Sequence, residues 1–309
     1  MRKISAVLVM LCVATVVRCQ VSIQDSADQI AVQVNGKPFT ALRKGAEANK
    51  PYLYPVLSLS GKPVTRAFPM EHADGDDTDH PHQRSIWMGY ERLSGMNLWE
   101  IDPADSHPRS GKILFGEVLE THQGTDKGSL VVSAQWLSPE GKPLIDEVLE
   151  MTFYAKPENV RMFDIDLRLK AKQLVTFEDH KDGIVGFRLA RAFDEDQGGI
   201  AINAEGVRGT AKLDGIRTSW IDWQADLKGE KVGFVVMDHP ANLNHPSSWL
   251  AKPMALFFAN PFAQRYYDRS RSNGSLSMQP GDEIRLRYRV IIHPSDFDLT
   301  KAYAEYSNQ

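Results

Sequence analysis

A two-residue alternation of apolar and polar side chains is the feature that most constrains this chain. Phe163, Ile165, Leu167 and Leu169 fall on one face of such a pattern, and the charged residues between them fall on the other. Residues 284–290 repeat the pattern, with arginines on the polar face. Alternation of this kind is typical of half-buried antiparallel strands. We expect the charged faces to be solvated, with a row of arginines lining an anionic groove as the alternative.

Turn signals support the same fold class. Asn35-Gly36 separates "QIAVQV" from "KPFTAL", a strong hairpin signal, and residues 139–143 separate two further strand-like runs. Helical signals are few: "LTKAYAEYS" follows Asp298, a good N-cap, and a single turn is expected near Pro246 to Leu250. We therefore predict an all-β fold, a large antiparallel β-sandwich with few short helices.

The first nineteen residues predict a secretory signal peptide. Arg2 and Lys3 precede an apolar run of 14 residues, Ile4 to Val17, which is too short for a membrane span. Cleavage after Cys19 is favoured over lipidation of that cysteine, because Arg18 occupies a position where lipidation needs a small residue. The expected organisation is a signal peptide over 1–19 and one domain over 20–309. This predicts a periplasmic or extracellular protein.

The mature chain would contain no thiol, because the two cysteines, Cys12 and Cys19, both precede the predicted cleavage point. That excludes disulfides, cysteine-ligated zinc and a cysteine nucleophile. Loss of the three basic leader residues would move the formal charge from −4 to −7. A mildly acidic protein is not suited to binding nucleic acid electrostatically, and no later apolar run is long enough to span a membrane.

The stretch "HADGDDTDHPHQRS", residues 72–85, is the first candidate site. Pro81 favours extended geometry at His80, and in an extended segment His80, His82 and Arg84 would share one side. Two imidazoles and a guanidinium could move protons and hold charge, and the two histidines could instead hold a divalent metal. A loop whose histidines cap backbone groups is the alternative.

The aspartates of the same stretch imitate a calcium loop. Asp74, Asp76 and Thr78 match the start of an EF-hand loop, but Asp79 stands where glycine is needed and Ser85 where glutamate is needed. The EF-hand match fails, and a solvated loop is the preferred interpretation. A cation site of another kind stays open.

The second candidate site is "FEDHKDGIVGFRLA", residues 177–190. Its charged residues end one strand, and an apolar strand follows Gly183. A salt-bridged hairpin end is one interpretation. The other gives Lys181 or Asp182 a role in proton abstraction, since burial can shift either pKa toward neutrality.

The third candidate site lies within residues 237–262. His239, His245, Trp249 and Asn260 are residue types that stack on sugar rings or hydrogen-bond hydroxyls, and Trp99 offers a further ring. For each tryptophan taken singly, a place in the core is the default. No nucleotide-binding loop, HExxH zinc motif or GxSxG elbow is present.

With these segments in view, the chain resembles the DUF6807 family of exported bacterial proteins, also labelled "methane oxygenase PmoA-like". The resemblance rests on "DHPHQRSIWMGY", "FEDHKDGIVGFRLA", "RTSWIDW", "GFVVMDHPANLNHPSSW", "FFANPF" and "IRLRYRVIIHPSD". It implies an all-β fold, for which a galactose-mutarotase-like supersandwich is one form, and carbohydrate chemistry. It also implies a site containing the following residues: His80, His82, Arg84, His245, Trp249 and Asn260.

Two positions depart from the family pattern. Gln83 replaces a histidine of the first motif, and His180 replaces a small polar residue of the second. Lys181 and Asp182 are therefore the stronger candidates of the second segment. The oxygenase label does not fit, because a membrane oxygenase subunit needs several apolar spans.

The leading functional hypothesis is a secreted carbohydrate-active enzyme, a lyase or hydrolase. One histidine would accept a proton, the other would donate one to the leaving oxygen, and Arg84 would hold an anion; two-carboxylate glycosidase chemistry is a variant. A non-catalytic carbohydrate-binding protein is the first alternative. A metal-dependent oxidoreductase using His80, His82 and a third histidine is the second.

Overall fold

Residues 20–309 are described by a computed structural model, so the predicted signal peptide and both cysteines lie outside the described residues. The described chain is almost entirely strand and loop. Its strands, in chain order, are as follows: β1 (Val21–Asp25), β2 (Gln29–Val34), β3 (Lys37–Arg43), β4 (Tyr52–Val56), β5 (Ile86–Tyr90), β6 (Lys112–His122), β7 (Lys127–Leu137), β8 (Pro143–Tyr154), β9 (Arg161–Ala171), β10 (Val175–Phe177), β11 (Gly183–Arg188), β12 (Ile200–Asn203), β13 (Trp220–Leu227), β14 (Glu230–Asp238), β15 (Ser248–Lys252), β16 (Leu256–Asn260), β17 (Leu276–Met278) and β18 (Glu283–Pro294).

Helices are short. The α-helices are α1 (Thr210–Leu213) and α2 (Leu299–Ser307), and single 3-10 turns cover Ala46–Ala48, Arg191–Phe193 and Glu195–Gln197. The predicted N-cap is confirmed, because the Asp298 carboxylate accepts a hydrogen bond from the Lys301 N–H at 2.9 Å. None of the helices between residues 20 and 309 has the length and apolar character that crossing a membrane requires.

Two eight-stranded antiparallel sheets form the body of the fold. The first sheet runs in the order β1-β2-β3-β4-β5-β11-β16-β15, and the second in the order β12-β13-β14-β18-β9-β8-β7-β6. Strands β10 and β17 form a small separate pair. The prediction of an all-β antiparallel sandwich with few short helices is therefore confirmed.

The core lies between the two large sheets. In β9 and β18 most of the apolar side chains predicted from the alternation, such as Phe163 and Leu286, are fully buried, and Ile284 is partly buried. The charged side chains on the opposite face of this sheet pair across strands: Arg285 contacts Asp166, and Arg289 contacts Asp164 at 2.7 Å. This face is a ladder of ion pairs.

The predicted hairpins are present. Asn35 and Gly36 have φ values of 55° and 73° in the turn joining β2 and β3, and β7 pairs with β8 beyond the 139–143 turn. The predicted turn near Pro246 to Leu250 is wrong, because Ser248–Lys252 is strand β15, paired with β16. Such a short apolar segment does not contain enough residues to reveal its period.

Candidate functional site

The outer face of the first sheet, turned away from the second sheet, carries the polar clusters of interest. Residues 97–107, which we call the cover segment, lie across β5 on this face. The Trp99 ring packs on Trp87 with centroids 4.8 Å apart. Gly89 permits this approach, since a Cβ there would lie 2.3 Å from the Leu98 carbonyl oxygen. The cover segment thus separates two groups of charged side chains.

The first group, the His82 cluster, consists of Lys50, His82, Arg84, Asp102 and Asp105. All of them except Asp105 are buried, although they are charged or polar. His82 Nδ1 is hydrogen-bonded to the Asp105 carboxylate. Its other ring nitrogen, Nε2, has no hydrogen-bond partner among the described residues, yet it is not sealed from solvent.

Protonation in this pair follows from burial and from the hydrogen bond. Burial lowers the pKa of His82, and the bond to Asp105 only partly opposes that effect. For Asp105, burial would raise the pKa, but the hydrogen bond and charge of His82 lower it below its usual value. The state favoured near neutral pH is a neutral imidazole that donates its Nδ1 proton to a carboxylate and keeps a lone pair on Nε2.

Lys50 is a buried amine that hydrogen-bonds the backbone of the cluster. Its Nζ donates to the backbone carbonyls of His82 and Trp99 at 2.6 and 3.2 Å, and it lies 5.5 Å from the centre of the Trp87 ring. Complete burial lowers the pKa of Lys50 to about 7, although Asp102 and Asp105 raise it. A neutral amine still has two protons, one for each carbonyl.

Arg84 is held by a buried ion pair. Its Nε and one terminal nitrogen each lie 2.6 Å from the same Asp102 oxygen, and its guanidinium packs on the Tyr52 ring at 5.3 Å. The expectation that Arg84 faces a substrate anion is not met by this arrangement, because its guanidinium is already paired with Asp102.

The expected extended conformation at His80 is wrong. His80 has φ +46° and begins a turn in which its carbonyl accepts the Gln83 N–H at 3.0 Å. The buried Arg66 explains the turn, because its guanidinium donates hydrogen bonds to the backbone carbonyls of Asp79, His80 and Gln83 at 3.1, 2.8 and 3.1 Å. The two imidazoles nevertheless meet, with centroids 5.6 Å apart. His80 is exposed, and its Nδ1 lies 2.6 Å from Asp79.

The sequence predicted a solvated loop for these aspartates. The structure shows instead that two of them make specific contacts. Asp76 accepts the backbone N–H of Ala67 at 3.0 Å, and Asp77 pairs with the buried Arg188 at 3.2 Å. They shape the loop that presents His80 and His82.

The second group, the His180 cluster, consists of Glu91, His180, Lys181 and Asp182, on the other side of the cover segment. His180 Nδ1 lies 3.0 Å from a Glu91 oxygen, and Lys181 Nζ pairs with the Asp182 carboxylate. Both Trp87 and Glu91 follow the outer-face parity of β5, four residues apart, which places the two groups ~13 Å apart along the strand.

The two carboxylates of this cluster have opposite pKa shifts. Burial, and then the hydrogen bond to Glu91, raise the pKa of Asp182 to about 7. For Glu91, burial raises the pKa, but His180 and Asp182 together lower it to about 2. Burial lowers the pKa of Lys181, but Asp182 and Glu91 raise it above its usual value.

The backbone around His180 is firmly held. Asn260 donates to the carbonyls of His180 and Lys181 at 2.8 and 2.9 Å. The Asp179 carboxylate accepts three backbone N–H groups, from Arg265, Tyr266 and Gly274. Asn260 is fully buried with its amide used in this way, so it positions the His180 cluster and has no group left to bind a substrate.

Open clefts border the His180 cluster. One, of about 150 Å³, is lined entirely by polar side chains and Gly95, and it extends from Glu91 to Glu100, whose charge also raises the pKa of His82. The other, of about 520 Å³, is lined by Asp179, Arg265, Tyr266, Arg269 and Asn273.

The third predicted segment lies elsewhere. His239 and His245 flank the end of β14 on the second sheet, where the buried Asp238 accepts hydrogen bonds from Asn242 and Ser247 and lies 3.0 Å from His245 Nδ1. His239 packs on Tyr306, and burial lowers its pKa to about 4. The family resemblance implied one site containing His80, His82 and His245, but the structure places His245, together with His239, beside β14 of the second sheet.

The tryptophans predicted to bind substrate are core residues. Trp249 is fully buried between the sheets, stacked on Phe257, with its Nε1 bonded to the Thr218 carbonyl at 2.8 Å. Trp99 is buried between Trp87 and Phe258. Neither ring has a free face, so both predictions of sugar stacking lose their geometric basis.

Sequence reasoning missed four residues of the two clusters: Lys50, Glu91, Asp102 and Asp105. None belongs to a dense polar motif, and each meets its partner only through sheet pairing or the path of the cover segment. The one available signal was "EIDPADS", where two aspartates follow Trp99 closely.

A metal held by His80 and His82 has no third ligand in the described part of the chain. The Nδ1 atoms of both rings are paired with aspartates. Among residues 20–309, three side chains with metal-ligating atoms converge only at Glu91, His180 and Asp182.

Comparison with known proteins now gives the family. The model of the "Family of unknown function (DUF6807)" matches residues 29–307. The chain belongs to this family. No curated protein matches the chain.

Solved structures similar to the DUF6807 chain are distant. Heparan sulfate lyase HepC from Pedobacter heparinus is 9% identical with a TM-score of 0.40, over 87% of this chain, which spans about a third (34%) of the lyase. A galactose mutarotase related enzyme from Lactobacillus acidophilus is 10% identical, with a TM-score of 0.37 over 90% of this chain and 100% of its own. A GalM/aldose epimerase homologue from C. elegans has 10% identity and a TM-score of 0.36 over the same shares.

Proposed function

We propose that this DUF6807 chain is a carbohydrate-active enzyme that cleaves a glycosidic bond by acid–base chemistry, with His82 as the proton acceptor. One observation carries the proposal: in the described part of the chain the His82–Asp105 pair leaves Nε2 without a hydrogen-bond partner and not fully sealed, while Nδ1 is fixed. That is the arrangement of a general base, since the carboxylate sets the tautomer and the orientation of the ring.

The surroundings of His82 support a site that is not closed by protein contacts alone. Asp105 Oδ1 and Trp87 Nε1 are buried without a hydrogen-bond partner in the described residues. Buried polar groups are paired in the great majority of cases, so unpaired ones call for a ligand, an ion or water. Their position beside His82 makes a bound polar substrate a suitable partner.

His80 supplies the complementary group. Its exposed ring lies 5.6 Å from that of His82, and its Nδ1 lies 2.6 Å from the Asp79 carboxylate. Two imidazoles this close on one side suit elimination across adjacent carbons. His82 Nε2 takes a C–H proton, the released electron pair forms the C=C bond, the C–O bond breaks, and His80 gives its proton to the leaving oxygen. We therefore favour a lyase over a hydrolase.

A hydroxyl-rich substrate fits the neighbouring surface. The cleft from Glu91 to Glu100 has no apolar side chain in its lining, which suits a sugar better than a lipid or an aromatic ligand. We also propose that the protein acts outside the cytoplasm, because its first nineteen residues have the pattern of a signal peptide.

The experiment is a product assay on a panel of neutral and uronic-acid glycans, read by ultraviolet absorbance of the unsaturated product and by chromatography. We expect His82→Ala to lower kcat/KM by ~10²-fold or more, the usual contribution of a general base. His122→Ala, an exposed histidine at the end of β6, is the matched control and should retain full turnover.

The results separate the alternatives. Saturated cleavage products would replace the lyase with a hydrolase. Sugar binding measured by calorimetry, with no product from the wild type, would identify a binding protein and overturn the proposal. Unchanged turnover in His82→Ala would also overturn it.

A further inference from the structure

The His180 cluster has a geometry that the proposed acid–base reaction does not use. A Glu91 oxygen, His180 Nδ1 and an Asp182 oxygen all lie within 4.8 Å of one another. Ligand atoms bound to one metal at ~2.1 Å must lie within about twice that distance of each other, so the three are close to the required spacing.

The imidazole gives a second, independent observation. His180 Nδ1 is sealed from solvent and makes no well-aligned hydrogen bond within residues 20–309, although a Glu91 oxygen lies only 3.0 Å away. The two atoms are near each other, but neither is directed at the other as donor and acceptor. Ligands that face a common point have this relation.

The charges of the cluster point the same way. The carboxylates of Glu91 and Asp182 adjoin each other where both are partly buried, and Lys181 forms an ion pair with Asp182. Two adjoining carboxylates repel unless a proton or a cation lies between them.

The ligand-bearing segments are fixed before any ion arrives. Glu91 directly follows β5, and its N–H donates to the Asp182 carbonyl at 3.1 Å. His180 and Asp182 directly precede β11, and Asn260 holds that backbone by two hydrogen bonds. A preorganised set of this kind loses little entropy on binding.

We propose that Glu91, His180 and Asp182 bind one divalent transition-metal ion. One imidazole and two carboxylates form a mixed nitrogen and oxygen donor set, which suits Zn²⁺ or Mn²⁺ and is a poor match for Ca²⁺, which prefers oxygen alone. All three side chains are partly exposed, so water or a substrate oxygen can complete the coordination from the adjoining cleft. The site is separate from the His82 cluster and does not rest on the proposed glycan cleavage.

The test is metal binding by chelator-treated full-length protein, measured by isothermal titration calorimetry and by elemental analysis after dialysis. We expect one equivalent of Zn²⁺ or Mn²⁺ per chain and a rise in Tm on binding. His180→Ala and Asp182→Asn should each weaken binding by about a hundredfold, at least as much as the loss of an outer-shell partner does.

His107→Ala is the matched control, because that imidazole lines the same cleft but lies outside the three ligands. Should His180→Ala fail to fold, Glu91→Gln provides the same comparison with little change in volume. His82→Ala should bind the metal normally, so failure of the enzymatic proposal and failure of this one are distinguishable. No bound Zn²⁺ or Mn²⁺ in the wild type, or equal binding by Asp182→Asn and the control, would overturn the proposal.

Discussion

The His82 cluster and the His180 cluster lie on the same sheet face, on either side of the cover segment. They differ in how their buried charged side chains are paired. In the first, Arg84 is matched by Asp102 and Lys50 by two carbonyls. In the second, two carboxylates adjoin each other, and the His180 Nδ1 atom is sealed from solvent without a hydrogen-bond partner in the described residues. The paired cations Arg84 and Lys50 form a supporting framework around His82, whereas the adjoining carboxylates of the His180 cluster indicate a place for a cation.

The strongest test of this difference is to replace an aspartate by asparagine in each cluster. Asp102→Asn leaves the buried Arg84 without its counter-charge and should lower the free energy of unfolding by about 3 kcal/mol. Asp182→Asn in metal-free protein loses the ion pair with the partly exposed Lys181 but keeps a side chain that can donate to Glu91, so it should stay within about 1 kcal/mol of the wild type. Urea unfolding measures both. Equal losses would mean that Asp182 is a structural partner in the same sense as Asp102.

A smaller effect should appear in the pH dependence of stability. Lys50 has a pKa of about 7 in the folded protein and its usual value near 10.5 when unfolded, so between these pH values the unfolded chain binds more protons. Stability from this group therefore rises with pH across that window, by up to about 1.4 kcal/mol per pH unit.

Lys50→Met, which preserves the length of the side chain, isolates this contribution. The wild-type free energy of unfolding should rise relative to that of the variant as pH increases above 7. If the free energies of unfolding of the two proteins change in parallel with pH, the pKa of Lys50 is not lowered by folding. Lys50 would then remain protonated within the His82 cluster.

Much of the fold could be predicted from the sequence because its signals are local. The alternation in β9 and β18, the Asn35-Gly36 turn and the Asp298 cap each depend on residues a few positions apart. Trp249 shows the limit: it alternates with Leu250 in a short strand, and nothing nearby in the sequence tells which face meets the core.

The sequence predicted site residues only where several polar or charged residues lie close together along the chain. His80, His82, Lys181 and Asp182 stood out for that reason, but their partners did not. Asp105 reaches His82 through the cover segment, and Glu91 reaches Asp182 through the pairing of β5 with β11. The predicted conformation of His80 was wrong because Arg66, which lies outside the motif, donates to the His80 carbonyl and stabilises a turn there.

The pH dependence of kcat/KM tests most directly whether His82 acts as a base. Because burial lowers the pKa of His82, the wild-type rate should fall in acid with a midpoint below the usual 6.5. Asp105→Asn should move that midpoint lower still, since the Asp105 carboxylate raises the His82 pKa, while His122→Ala leaves it unchanged. An acidic midpoint that Asp105→Asn does not move, or one that persists with full turnover in His82→Gln, would contradict the account.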